Sequence, residues 1–152
     1  MSDKIFVAMS TEQLSLDDAY AFVNDDAHGA INIFSGVVRN HHEGQQVTGI
    51  TYDAHDGLAE NALREICEDA QKQWPDTKIY VSHFKGELPI GGVSVIIAVS
   101  AAHRAEGYDT NRYVIEEIKK RLPVWKQEHY PDGKSEWLPG HSLVSEDTQK
   151  AC

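Results

Sequence analysis

Between Gly57 and Trp74 the residues Leu58, Ala62, Ile66, Ala70 and Trp74 recur at every fourth position, and Pro75 follows directly. That period is the one-sided stripe of an amphipathic helix, and a proline pushes the residue before it out of helical backbone. A helix with one apolar stripe must bury it, and the sequence supplies short β-branched runs to bury it against. "KIFVAM" (4–9), "GAINIFSGVVR" (29–39), "QVTGITYDA" (46–54), "KIYVSHF" and "VSVIIAVSA" read as strands, the last two joined through the Gly91-Gly92 turn. "NHHEGQ", with Gly44, reads as a hairpin-like loop. "SLDDAYAFV" reads as a short helix with Ser15 as N-cap and Asp18 in the capping-box position. A second long helix follows His103, carries Tyr108, Ile115, Ile118 and Leu122 on its apolar face, and stops before Pro123. "VWKQEHY" and "KSEWL" read as a terminal hairpin turned at Pro131-Asp132-Gly133.

The element order is β-α-β-β-α-β-β-α-β-β. Adjacent strands joined by short turns call for an α+β domain, a largely antiparallel sheet with helices packed on one side of it, plus the C-terminal hairpin. At 152 residues the chain is long enough for one domain with its own core. We assign it to residues 1–141, leaving 142–152 as a polar tail.

The formal net charge of −10 argues against nucleic acid as a partner, so any anion site has to be a local cation cluster working against the global field. Cys67 and Cys152 lack zinc-ligand spacing and form no disulfide framework, which fits a reducing cytoplasm. The N-terminus does not read as a signal peptide, and the longest apolar run is too short to span a bilayer, so no membrane role is expected.

Four cation-bearing stretches stand out. Arg39 ends the strand "IFSGVVR", beside a loop, where side chains enter clefts. His103 and Arg104 stand where strand becomes helix, and the unpaired amides of a helix start attract anions. Lys119 lies at the margin of the second helix's apolar stripe, and Lys126 follows Trp125 in a strand whose neighbours point to opposite faces. Arg39 or either lysine alone is more often a surface charge, His103 and Arg104 are as readily solvated loop residues as anion ligands, and a lysine in the last helical turn also suits the helix dipole. His41, His42, His55 and His83 form no tight metal-ligand spacing, and His41-His42 in a glycine-containing loop reads as solvated. "GELPIGG" lacks the lysine of a phosphate loop, and there is no G-x-S-x-G elbow. Spacing alone therefore gives an anion-handling pocket without a named reaction.

"FSGVVRNHHEG", "SAAHRAEGYD" and "IKKRLPVWKQE" occur in that order. Together they resemble the large, catalytic subunit family of molybdopterin synthase, from about Gly29 to Trp137. The resemblance implies an α/β hammerhead-type fold and a homodimer within a heterotetramer. A small ubiquitin-like sulfur-carrier subunit would insert its C-terminal thiocarboxylate, and sulfur would pass to cyclic pyranopterin monophosphate. It implies catalytic roles for Lys119 and Lys126, a phosphate cradle from Arg39, His103 and Arg104, and a pocket also lined by Val37, Val38, Gln127 and Glu128. No metal or other cofactor is implied. A non-catalytic module that binds a ubiquitin-like tail or a phosphate ligand is the alternative, with an unrelated small transferase behind it.

Overall fold

The computed structural model describes residues 4–139. Its elements run β1 (Ile5–Ser10), α1 (Leu16–Val23), β2 (Ala30–Val37), β3 (His41–His42), β4 (Gln45–Gln46), β5 (Gly49–Ala54), α2 (Asp56–Gln73), β6 (Thr77–Phe84), β7 (Gly86–Pro89), β8 (Val93–Ala101), α3 (Arg104–Arg121), β9 (Val124–His129) and β10 (Ser135–Pro139). The strands form a four-stranded sheet in the order β1-β6-β8-β2, a second in the order β10-β9-β5-β7, and the small β3-β4 ribbon. Every pairing is antiparallel except β1 with β6. The expected 142–152 tail lies outside the described residues.

Strand β8 explains the layering. Its unbroken apolar run is what a strand covered on both faces requires. Val95, Ile97 and Val99 join Leu63, Ile66 and Val114 in one core, beneath α2 and α3. Ile96 and Ala98 join Ala19 and Val23 of α1, with Ile50 and Leu88 of the second sheet, in another. The expectation of helices on one side is thus corrected: α1 packs on the face opposite α2 and α3. The "VSVIIAVSA" run was the reason available in the sequence, because a sheet with one wet face would alternate.

Local signals set the ends. Ser15 Oγ accepts from the Asp18 amide at 3.1 Å, capping α1. His55 Nδ1 accepts from the Leu58 amide at 3.2 Å and caps α2. "GELP", in the connection between the two strands that the sequence joins through Gly91-Gly92, pairs as β7 along β5, and the "NHHEGQ" loop tightens into the β3-β4 ribbon.

Helix α3 is held to the first sheet by a buried polar clamp as well as by apolar packing. Asn111 Nδ2 donates to Asn32 Oδ1 at 2.9 Å and to the Ile97 carbonyl at 3.0 Å. The second sheet depends on a close backbone approach at Gly49, where a Cβ would stand 2.8 Å from the Leu88 carbonyl oxygen. Gly49→Ala is therefore expected to force β5 and β7 apart and to cost about 1–3 kcal/mol. Chemical denaturation checks this; a midpoint equal to that of the parent chain would contradict it.

Candidate active site

The two sheets meet under the C-terminal end of α3, and the seam between them encloses a cavity of about 40 Å³. At about 10–15 Å³ per water, it has room for a few waters or the tip of a thin chain. Each wall follows from strand parity. Along β9, Val124, Lys126 and Glu128 point inward, while Trp125 and Gln127 point away. Lys126 is 7% exposed and Trp125 52%, so the lysine rather than the tryptophan goes inside. Tyr52 stands opposite Lys126 in register, on the same wall. From the first sheet come Val37, Val38 and Arg39, where β2 ends in an irregular step past Gly36. Backbone bonds from Val38 N–H to the Gly92 carbonyl (3.0 Å) and from Gly91 N–H to the Val38 carbonyl (2.8 Å) pin that segment. Gly91 sits at φ +82, where residues other than glycine are strained. Helix α3 contributes Ile115, Ile118 and Lys119.

Six of the nine residues named from the sequence thus share one cavity: Val37, Val38, Arg39, Lys119, Lys126 and Glu128. Three do not. Gln127 faces the other side of β9, where its amide donates to Ser135 Oγ at 2.7 Å; strand alternation makes this unavoidable once Lys126 is inside. His103 and Arg104 are exposed at the start of α3. Fifteen residues of helix separate Arg104 from Lys119, roughly 22 Å along the axis.

Buried polar partners complete the site. Glu128, 3% exposed, receives His42 Nδ1 at 2.5 Å on one oxygen and the Tyr130 hydroxyl at 3.1 Å on the other. Burial first, then the hydrogen bond to Glu128 and its charge, push the Tyr130 phenol above its ordinary range, which keeps it a donor. A carboxylate buried in this way needs such partners. His83 of β6 also lines the cavity, its Nδ1 within 2.8 Å of the Phe84 carbonyl and its ring edge-on to Tyr52 at 5.1 Å. Burial, then the positive charge of Lys119, push its pKa down to about 4, against the hydrogen bond to Phe84.

The sequence reading missed His42, Tyr52 and His83. For His83 a signal existed: a polar residue inside a wholly buried strand, in phase with Ile79 and Val81. For His42 none did, because its burial depends on a contact with Glu128, 86 positions away. Among the described residues no group of three or more His, Cys, Asp or Glu side chains is placed to hold a metal ion, and no helix is long and apolar enough to cross a membrane.

The site defines a class: an α+β protein in which two lysines and an arginine line one cavity at the seam between its sheets. The model of the MoaE protein family matches residues 9–121, and the chain belongs to that family. It is 43% identical over 145 residues to the molybdopterin synthase catalytic subunit of Synechococcus elongatus, covering 95% of this chain and 88% of that one. The crystal structure of molybdopterin synthase from Staphylococcus aureus superposes with a TM-score of 0.83 at 33% identity, covering 91% of this chain and 98% of that one. A complex of subunits 1 and 2 of molybdopterin-converting factor from Helicobacter pylori shares the fold with a TM-score of 0.66 at 18% identity, covering 93% and 99%.

The His83 environment sets a sign for acid stability. An unfolded histidine titrates near 6.5 and the folded one near 4, so between those values only the unfolded chain takes up the proton. The stabilisation is complete above pH 6.5 and is lost as pH falls toward 4, up to roughly 3 kcal/mol. His83→Gln should flatten the fall of unfolding free energy across this window by up to one proton. Denaturant titrations at pH 7 and 4.5 read it; parallel slopes for both chains would contradict it.

Proposed function

We propose that this chain is the large, sulfur-transferring subunit of a molybdopterin synthase. It accepts the C-terminal thiocarboxylate of a small ubiquitin-like carrier subunit and passes the sulfur to cyclic pyranopterin monophosphate, building the dithiolene of molybdopterin. The observation that carries this reading is the pair Lys119 and Lys126 on one narrow cavity, in a chain aligned over 95% of its length with a molybdopterin synthase catalytic subunit.

The chemistry suits the geometry. A thiocarboxylate is an anion on a slender tail, and the cavity is narrow, with an ammonium at its edge and another deep inside. Lys119, half-buried, stands beside the acyl carbon. Lys126, set deeper and on the same strand face as Glu128, assists proton transfer or holds the pterin. Each new carbon–sulfur bond replaces a carbon–oxygen bond of the pterin side chain, whose oxygen leaves as water or stays on the phosphate; the acyl–sulfur bond then breaks as water adds to the acyl carbon, restoring an ordinary carboxylate on the tail. Two carriers in succession supply the two sulfurs. Arg39 at the rim meets the phosphate with the two parallel N–H donors that phosphate oxygens favour. The transfer needs no metal or redox cofactor.

His103 and Arg104 enter this scheme through a second copy of the chain, in a homodimer that binds two carriers. Three features support it. Both residues are exposed at an α3 start whose N-cap side chain makes no capping bond. Strand β2 is an edge of its sheet. Ile33 and Tyr108, beside it on β2 and α3, are exposed apolar side chains. The Helicobacter pylori neighbour, solved as a two-subunit complex, supports the carrier partner. We place the reaction in the cytoplasm, in keeping with the free, buried Cys67, and the catalytic domain over residues 1–141.

Reconstitution with thiocarboxylated carrier and the cyclic pterin tests the assignment. Lys119→Ala should lower product formation roughly a hundredfold or more while carrier binding persists. Parent-level product from Lys119→Ala would refute the role, and tight carrier binding by the parent chain with no product would favour the binding-module alternative. Pterin binding should also weaken as salt is raised, and a flat response would count against a charge-based cradle.

A further inference from the structure

His83 is unused by this scheme, yet it is the one histidine of the central sheet that opens on the cavity. Its phase along β6 is that of Ile79 and Val81, so an aliphatic side chain would suit the position sterically and would cost less to bury. The Nδ1 contact at 2.8 Å to a carbonyl, which can only accept, fixes the tautomer: Nδ1 carries the hydrogen and Nε2 carries the lone pair. Among the described residues the His83 ring is hydrogen-bonded to the Phe84 carbonyl, through Nδ1, and the ring lines the cavity. The edge-on Tyr52 ring, at 5.1 Å, fixes the plane of the imidazole.

The charged and titratable groups that share the cavity with His83 are Lys119 from α3, Lys126 and Glu128 from β9, Tyr52 from β5, and Arg39, His41 and His42 from the segment after β2. Lys119 is the charge that acts on the imidazole. An ammonium next to a lone pair that has no proton of its own is a donor facing an acceptor.

We propose that His83 is a positioning residue for Lys119: its Nε2, held toward the cavity by the Nδ1–Phe84 bond, accepts an N–H of the Lys119 ammonium when the site is filled and so sets where that amine stands against the incoming tail. The proposal rests on the sulfur-transfer reading for its kinetic consequence, and on the shared cavity alone for the contact. A group that titrates near 4 is a poor general base at neutral pH, because efficient proton abstraction wants a pKa near the working pH. The same neutrality makes it a good acceptor, since an imidazolium there would repel Lys119.

Two measurements decide it. The first follows the His83 ring by NMR in full-length chain labelled at histidine nitrogens. Coupling between two sites is reciprocal, so Lys119→Gln should raise the proton affinity of His83 by roughly three- to tenfold. An unchanged midpoint overturns the proposal. This readout needs no turnover, so it stands even if the sulfur-transfer reading fails, and that failure would show separately as a parent chain without product. The second compares His83→Phe, which removes the acceptor, with His83→Gln, which can place an amide oxygen near the position of Nε2. His83→Phe should lower kcat roughly ten- to a hundredfold with the KM for the carrier within about twofold, and His83→Gln should recover a large part of that loss. Equal losses in both variants, or parent-level kcat in His83→Phe, overturn it. Should either variant fail to fold, the Lys119→Gln titration remains the deciding result.

Discussion

Helix α3 is a rigid rod of 18 residues laid across the first sheet, and the rest of the site is arranged around where its two ends fall. The Asn111 clamp to Asn32 and Ile97 and the buried Val114 and Ile118 fix both its height and its rotation. With the rotation fixed, Lys119 must project at the margin of the buried stripe, over the seam between the sheets. With the axis fixed, His103 and Arg104 must stand at the far end. The cavity exists because β9 leaves α3 through Leu122 and Pro123 and returns beneath it, bringing Lys126 and Glu128 inward on alternate residues.

Burying those two side chains is the expensive part. An ammonium and a carboxylate taken out of water cost several kcal/mol each unless they are well partnered. For Glu128 the partners are visible: His42 on one oxygen and Tyr130 on the other. Replacing the ensemble with aliphatic residues would in general be no less stable, so stability does not explain its presence. In the proposed function, holding an anion against a net charge of −10 supplies the reason. The low dielectric that makes the burial costly also strengthens the attraction for an incoming carboxylate or phosphate.

Much of this was legible in the chain itself. The four-residue period before Pro75 gave α2, the run "VSVIIAVSA" gave a covered strand, and the Val-Trp-Lys order gave two opposed faces, one of which had to be inside. Parity could not say which face of β9 was buried, because Trp125 is the more apolar choice; the answer came from Tyr52 and Ile50 across the strand pair. The placement of α1 on the opposite face was foreshadowed by the lack of alternation in β8. The His42–Glu128 pair was not legible, since it joins distant segments through a two-residue ribbon that reads as loop. The separation of His103 and Arg104 from Lys119 was legible, since α3 alone sets Arg104 and Lys119 fifteen helical positions apart.

That separation makes the proposed function a claim about assembly: one anion site would draw its cations from two copies of the chain. Mixing Lys119→Ala chains with Arg104→Ala chains under conditions that exchange subunits tests it most directly. In random exchange half of the dimers are mixed, and each mixed dimer has one site with both residues intact, so about a quarter of the parent sulfur-transfer activity should return. No recovery beyond the sum of the two separate variants would mean that both residues serve a site within a single chain, or that they serve none together, and would contradict the account.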